Sequence, residues 1–138
     1  MLINGIIHND QLWVKLKLAG YHGSKEIYFL IDTGFDGELS LPVSLAIPLG
    51  LALVGESEYK IAGGTSYNPL KFVASIQWGS QNKLASVDVD KGDTPLLGMR
   101  LLTNYTLFVN FKTKSLVIEE PKAEEPQEIK GSEGETKK

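Results

Sequence analysis

Cysteine is absent from the 138-residue chain, which excludes a disulfide scaffold, a thiol nucleophile and a zinc site built on thiolates. Histidine is scarce: His8 and His22 are the two present. Both fall in turn-like segments and neither belongs to a ligand spacing such as H-E-x-x-H, so no metal and no other cofactor is expected. No serine sits in a G-x-S-x-G elbow, and Gly63-Gly64-Thr65 lacks the Gly-Lys-Ser/Thr ending of a phosphate loop. Positive charge is not in excess. The formal net charge of −3 supplies no electrostatic reason to expect nucleic acid or an anionic membrane surface. Nor is there an apolar run near the roughly 20 residues that a membrane-spanning helix requires. The opening stretch MLINGIIHNDQLW has neither the basic start nor the long apolar region of a signal peptide. A soluble, cytoplasmic protein without membrane or nucleic-acid partners is the expectation.

What is present is one domain's length of chain with a change of composition near its end. Residues 121–138, PKAEEPQEIKGSEGETKK, hold one large apolar residue, Ile129. Such a segment buries too little surface to offset the entropy of ordering it, and a disordered charged tail is expected there. The folded unit is expected over residues 1–120.

Within that unit the main signal is period two. Leu12, Val14, Leu16 and Leu18 alternate with Trp13, Lys15 and Lys17, the pattern of a half-buried strand. Residues 20–24 form a turn, and residues 27–31 the returning strand. A short extended piece over 39–41 is stopped by Pro42. Residues 43–51 hold at most a helical turn, weakened by Pro48. Residues 56–61 and 65–72 flank Gly63-Gly64 as a long hairpin, and Pro69 places its second arm at an edge. Strands over 73–78 and 84–89 follow, then a short helix over 99–104 and a last hairpin of 105–111 with 115–119. Many short strands with one late helix imply an all-β fold, a small closed or sandwiched structure in a single lobe. Trp13, Tyr59 and Trp78 read as packing residues, because no basic stripe accompanies them.

The remaining feature is FLIDTGFDGELSLP, residues 29–42. An apolar strand runs directly into Asp32-Thr33-Gly34. The tripeptide alone is a weak signal, and an Asx-type turn that merely closes a strand also accounts for it. Its context favours chemistry. The acid is delivered from a buried strand, a glycine-tipped hairpin follows, and a second apolar pair before glycine, Leu96-Leu97-Gly98, opens the late helix.

This order resembles that of the retropepsin-like aspartic proteases, particularly a prokaryotic branch of that clan, over residues 1–118. The resemblance implies a small closed acid-protease barrel, with Asp32 as the catalytic acid and Thr33 bracing two loops across a dimer axis. It implies that Gly34 leaves its N–H free for the carboxylates, and that a flap tip over Ala62, Gly63, Gly64 and Thr65 joins Phe35 and Asp36 in binding substrate. Leu96, Leu97, Gly98 and Arg100 become structural support, with Asp36 expected to pair with Arg100. One departure stands out: the position after the glycine, usually Ala or Ser in the family, is Phe35. Such a ring either narrows the groove or turns into a pocket of its own.

Aspartic proteolysis needs two carboxylates sharing one proton, one activating water and the other polarising the scissile carbonyl. The chain carries one Asp-Thr-Gly, and Asp36, Asp88, Asp90 and Asp93 have no matching context. A homodimer acting on peptide or protein substrates is the expected form. The alternatives are a dimeric peptide-binding module that no longer cleaves and a plain structural β domain.

Overall fold

The alternating residues 14–18 lie within the ten-residue strand β3 (Gln11–Gly20), preceded by two short strands, β1 (Leu2–Asn4) and β2 (Ile6–His8). In the computed structural model, which describes residues 1–121, Val14, Leu16 and Leu18 of β3 point into the core while Lys15 and Lys17 face water. The expected tail lies, Pro121 apart, outside the described residues. β4 (Gly23–Ile31) returns along β3 with Ile27, Phe29 and Ile31 buried. Burying a side chain such as Phe29 contributes on the order of 2–3 kcal/mol, so the register of this pair is strongly specified.

β5 (Leu39–Pro42) leads into α1 (Val43–Leu49), then β6 (Ala52–Glu56), β7 (Tyr59–Lys60) and β8 (Ser66–Tyr67). β9 (Leu70–Trp78) and β10 (Gln81–Asp90) form a long hairpin, followed by β11 (Leu96–Leu97), α2 (Met99–Leu102), β12 (Thr106–Asn110) and β13 (Ser115–Glu119). The strands β3, β4, β11, β5, β10 and β9 are neighbours in that order, and β9 pairs back onto β3, with Lys17 opposite Gln77. A six-strand barrel is thereby closed, which removes the unpaired edges of its sheet. The core inside it includes Phe29, Leu39, Leu41, Ile76, Val87, Leu97 and Trp78, the last packed edge-on against Tyr105 at 5.5 Å.

Three features depart from the sequence expectation. There are two helices, not one: α1 forms despite Pro48, because Ala46 and Leu49 are buried and Gly50 closes the helix in the left-handed region at φ 68°. That cap donates its N–H to Ile47 O at 3.0 Å, offsetting the donor lost at Pro48. α2 ends at Leu102 rather than Asn104. Residues 70–78 form one continuous strand, so the hairpin over 56–72 shrinks to two-residue arms, with residues 52–56 pairing instead as β6 along β9. At the N-terminus, β1 pairs with β13 beside β12 in a separate three-stranded sheet. No helix among the described residues is long and apolar enough to cross a membrane.

Candidate active site

The two motifs meet through β11. Leu96 and Leu97 lie parallel to Leu30 and Ile31 on one side and antiparallel to Ser40 and Leu39 on the other. The late apolar pair is thus a strand inserted between the two arms that flank Asp32-Thr33-Gly34. Backbone bonds complete the clamp: Asp32 N–H donates to Leu97 O at 2.9 Å, and Gly98 N–H to Glu38 O at 2.8 Å. Met99 N–H reaches Phe35 O at 2.8 Å and Arg100 N–H reaches Gly37 O at 3.2 Å. Leu96, Leu97, Gly98, Met99 and Arg100 meet the Asp32 loop and its flanking strands through the main chain.

Asp32 is half-buried at the end of β4, and Thr33 and Gly34 are exposed. Gly34 N–H donates to Asp32 Oδ1 at 2.9 Å, and Phe35 N–H to Asp32 O at 3.1 Å. No other hydrogen bond to the Asp32 carboxylate is made among the described residues. Asp32, Gly34, Phe35, Asp36 and Leu96 line a cleft of about 240 Å³ with Ser40, Tyr59, Lys60, Ile61, Tyr67, Asp88 and Asp90. A larger open depression, about 930 Å³, lies to one side of it along α2 and does not reach Asp32.

The hairpin of β7 and β8 stands over the cleft. Its tip turns at Gly63 and Gly64, both at positive φ, and is tied by Ile61 N–H to Thr65 O at 2.9 Å. Of the tip, Ile61 reaches the cleft, whereas Ala62, Gly63, Gly64 and Thr65 are exposed and line no part of it. Phe35 does both things open to it. Its ring meets Tyr59 edge-on at 5.9 Å and crowds Gly37 and Gly98, while remaining part of the cleft wall. The expected Asp36–Arg100 pair is not formed. The one ion pair among the described residues joins Lys15 to Glu26 at 3.9 Å, and Arg100 instead shares with Asp36 and Tyr59 the rim of a neighbouring depression. The one-residue shift introduced by Met99 gives its backbone, not its guanidinium, to the loop.

Sequence reasoning missed the polar groups beneath the hairpin. Asp88, 3% exposed, accepts the Ser57 hydroxyl at 2.6 Å and the Tyr59 hydroxyl in a short bond. Asp90 accepts the Tyr67 hydroxyl at 2.9 Å, Gly92 N–H at 2.9 Å and, at 3.4 Å, the Ser40 hydroxyl. Their available signal was two acids at alternate positions of a strand, which local pattern alone does not connect to a hairpin some 20–30 residues earlier. No group of three or more His, Cys, Asp or Glu among the described residues is placed to hold a metal ion.

Burial, followed by the hydrogen bond to Asp88 and its charge, pushes the Tyr59 phenol up to about 12, against smaller opposing effects of Ser57 and Arg100. Tyr67, whose residue is 40% exposed and whose hydroxyl bonds Asp90, is likewise raised to about 12 by burial first, then Asp90, then Asp88. A folded-state value above the ordinary 10 means that this stabilisation is complete below pH 10 and is lost as pH rises towards 12. Phenolate absorbance should therefore show two groups titrating near 12, one vanishing in Tyr59→Phe and the other in Tyr67→Phe. Titration of either at its ordinary value would contradict the bonded geometry.

No protein-family model and no curated protein matches the chain. Among solved structures, the chain is similar to the crystal structure of a retropepsin-like aspartic protease from Rickettsia conorii, at 20% identity and a TM-score of 0.55. The match covers 86% of this chain and 90% of that one. The fold is retropepsin-like: a small, mostly β barrel built around the strand that β11 inserts.

Proposed function

We propose that the chain is an aspartic endopeptidase that works as a homodimer, each subunit contributing Asp32 to one pair of carboxylates. The observation that carries this reading is a half-buried carboxylate at the mouth of a closed barrel. One of its oxygens is held by Gly34 N–H, and the other accepts no hydrogen bond from the described residues. An Asx turn alone requires neither the cleft around that acid nor the hairpin above it.

The mechanism follows from the groups present. One Asp32 carboxylate acts as general base towards a water, while its protonated counterpart donates a hydrogen bond to the scissile carbonyl. Of the acids that share the cleft with Asp32, Asp88 accepts two hydroxyls and Asp90 accepts on both oxygens, whereas Asp36 is exposed and stands outside any Asp-Thr-Gly. One Asp-Thr-Gly per chain supports a second copy as the source of the partner carboxylate. Thr33, exposed beside Asp32, is proposed to brace the two loops across the axis. Phe35 and Asp36 wall the groove, and the hairpin of residues 59–67 covers an extended peptide and restricts water.

The test is cleavage of a peptide library across acidic to neutral pH, read together with sedimentation. Cleavage blocked by a peptide inhibitor carrying a tetrahedral hydroxyl group is the expected result. Binding of that inhibitor without any cleavage would favour a silent peptide-binding module. Failure of both would leave Asp32 as a turn residue. Thr33→Ala is expected to weaken the dimer by about 1 kcal/mol, roughly fivefold in Kd. A strictly monomeric, fully active protein in sedimentation would refute the dimer.

A further inference from the structure

We propose that Asp88 and Asp90 are positioning residues of the cleft, pinning the two legs of the β7–β8 hairpin over Asp32 through the hydroxyls of Tyr59 and Tyr67. The kinetic part of this inference rests on the peptidase reading; the structural part does not.

The hairpin has little else to hold it. Its arms are two residues each, and an isolated two-stranded ribbon is at best marginal in water. Residues 61–68 are all exposed, Ile61 at 55%, so apolar burial does not fix the tip. Three hydroxyls from this segment and its approach instead converge on two carboxylates of one barrel strand. Ser57 and Tyr59 bond Asp88, and Tyr67 bonds Asp90. The two phenol rings stack across the hairpin at 6.3 Å and 26°, so the legs are tied to each other as well as to the strand below.

The carboxylates are themselves fixed. Asp88 sits opposite Ser40 of β5 and Lys71 of β9 in the closed barrel, and a buried charge is tolerable only when its oxygens are satisfied. The hydroxyls meet that requirement, which makes each bond directional and mutually necessary. Hydrogen bonds to charged groups are also about twice as strong as neutral ones.

Phe35 extends the tie to the acid. Tyr59 meets the Phe35 ring at 5.9 Å, and Phe35 lies within the loop whose backbone holds Asp32 and α2. Hairpin position and the wall of the cleft beside Asp32 therefore share one aromatic contact. Where the family has a small residue, this chain has the ring that receives Tyr59.

Amide hydrogen exchange on the full chain tests the tie without substrate. Tyr59→Phe keeps the ring and its Phe35 contact but removes the hydroxyl; Tyr67→Phe does the same at the other leg. Exchange at the Ile61 amide, which bonds Thr65 O, is expected to quicken about tenfold in each variant, with β3 and β4 unchanged. Asp88→Asn leaves one amide oxygen for the Ser57 and Tyr59 hydroxyls, so its effect should couple with that of Tyr59→Phe rather than add to it in full. Should Asp88→Asn fail to fold, the tyrosine variants decide alone. Unchanged exchange in both tyrosine variants overturns the proposal. In peptide hydrolysis, KM is expected to rise about tenfold with a smaller change in kcat. Faster exchange with unaltered kcat/KM would overturn the positioning role. A protein that cleaves nothing, yet loosens at Ile61 in Tyr59→Phe, supports the tie while refuting the peptidase reading.

Discussion

Asp32→Asn is expected to reduce peptide cleavage by about a thousandfold or more while leaving fold and dimer intact. The substitution preserves size and an oxygen able to accept the Gly34 N–H at 2.9 Å, so the loop has no reason to move. What disappears is the ability to take a proton from water and to share one with the opposing carboxylate. In the proposed homodimer both carboxylates of the single pair are altered together, leaving no intact acid. The measurement is turnover of a cleaved library peptide, with thermal melting and sedimentation as controls. Near-normal turnover would refute Asp32 as the acting acid, and a collapsed melt would show that it serves the fold instead.

The largest structural effect is expected at Gly98. A Cβ there would lie 2.7 Å from Phe35 O and 2.6 Å from the Phe35 ring, and closer still to Gly37 O. These oxygens cannot retreat freely, because they accept Met99 N–H and Arg100 N–H, the bonds that seat α2 on the Asp32 loop. Gly98 itself has φ −99° and ψ 176°, which any residue adopts, so crowding alone is at issue. Gly98→Ala should cost about 3 kcal/mol, lowering Tm by roughly 10 °C. It should also impair cleavage, since the displaced loop carries Asp32. A melt within about a degree of the original would show that this packing is looser than the structure makes it.

Alternation along β3 was legible because it is a local property: side chains two apart share a face whatever the strand pairs with. The apolar run Phe29-Leu30-Ile31 put Asp32 at the end of a buried strand, and the resemblance to retropepsin-like proteases marked Leu96-Leu97-Gly98 as its counterpart. Composition likewise led to the expectation of a tail after residue 120. Local reasoning failed where burial outweighed propensity, as at Pro48 within α1, whose Ala46 and Leu49 are packed in the core. It also failed where an extended arm had to be divided between partners, as over residues 52–78, since each partner strand lies elsewhere in the sequence.

By itself, then, the sequence determined where a buried strand ends in an acid: Asp32 after Phe29-Leu30-Ile31, with a retropepsin-like order of motifs around it. Only the tertiary structure decided what those residues touch. It slid Leu96-Leu97 between β4 and β5, turned Phe35 towards Tyr59, denied Asp36 its arginine, and set Asp88 and Asp90 beneath two tyrosines. The reason is sequence distance. The Ser40–Asp90 contact spans 50 residues and Tyr59–Asp88 spans 29, and no periodicity of 2 or 3.6 residues encodes a partner that far away. Such pairs are chosen by barrel closure, which brings distant strands into register and lets hydrogen bonding to buried carboxylates select the hydroxyls that satisfy them.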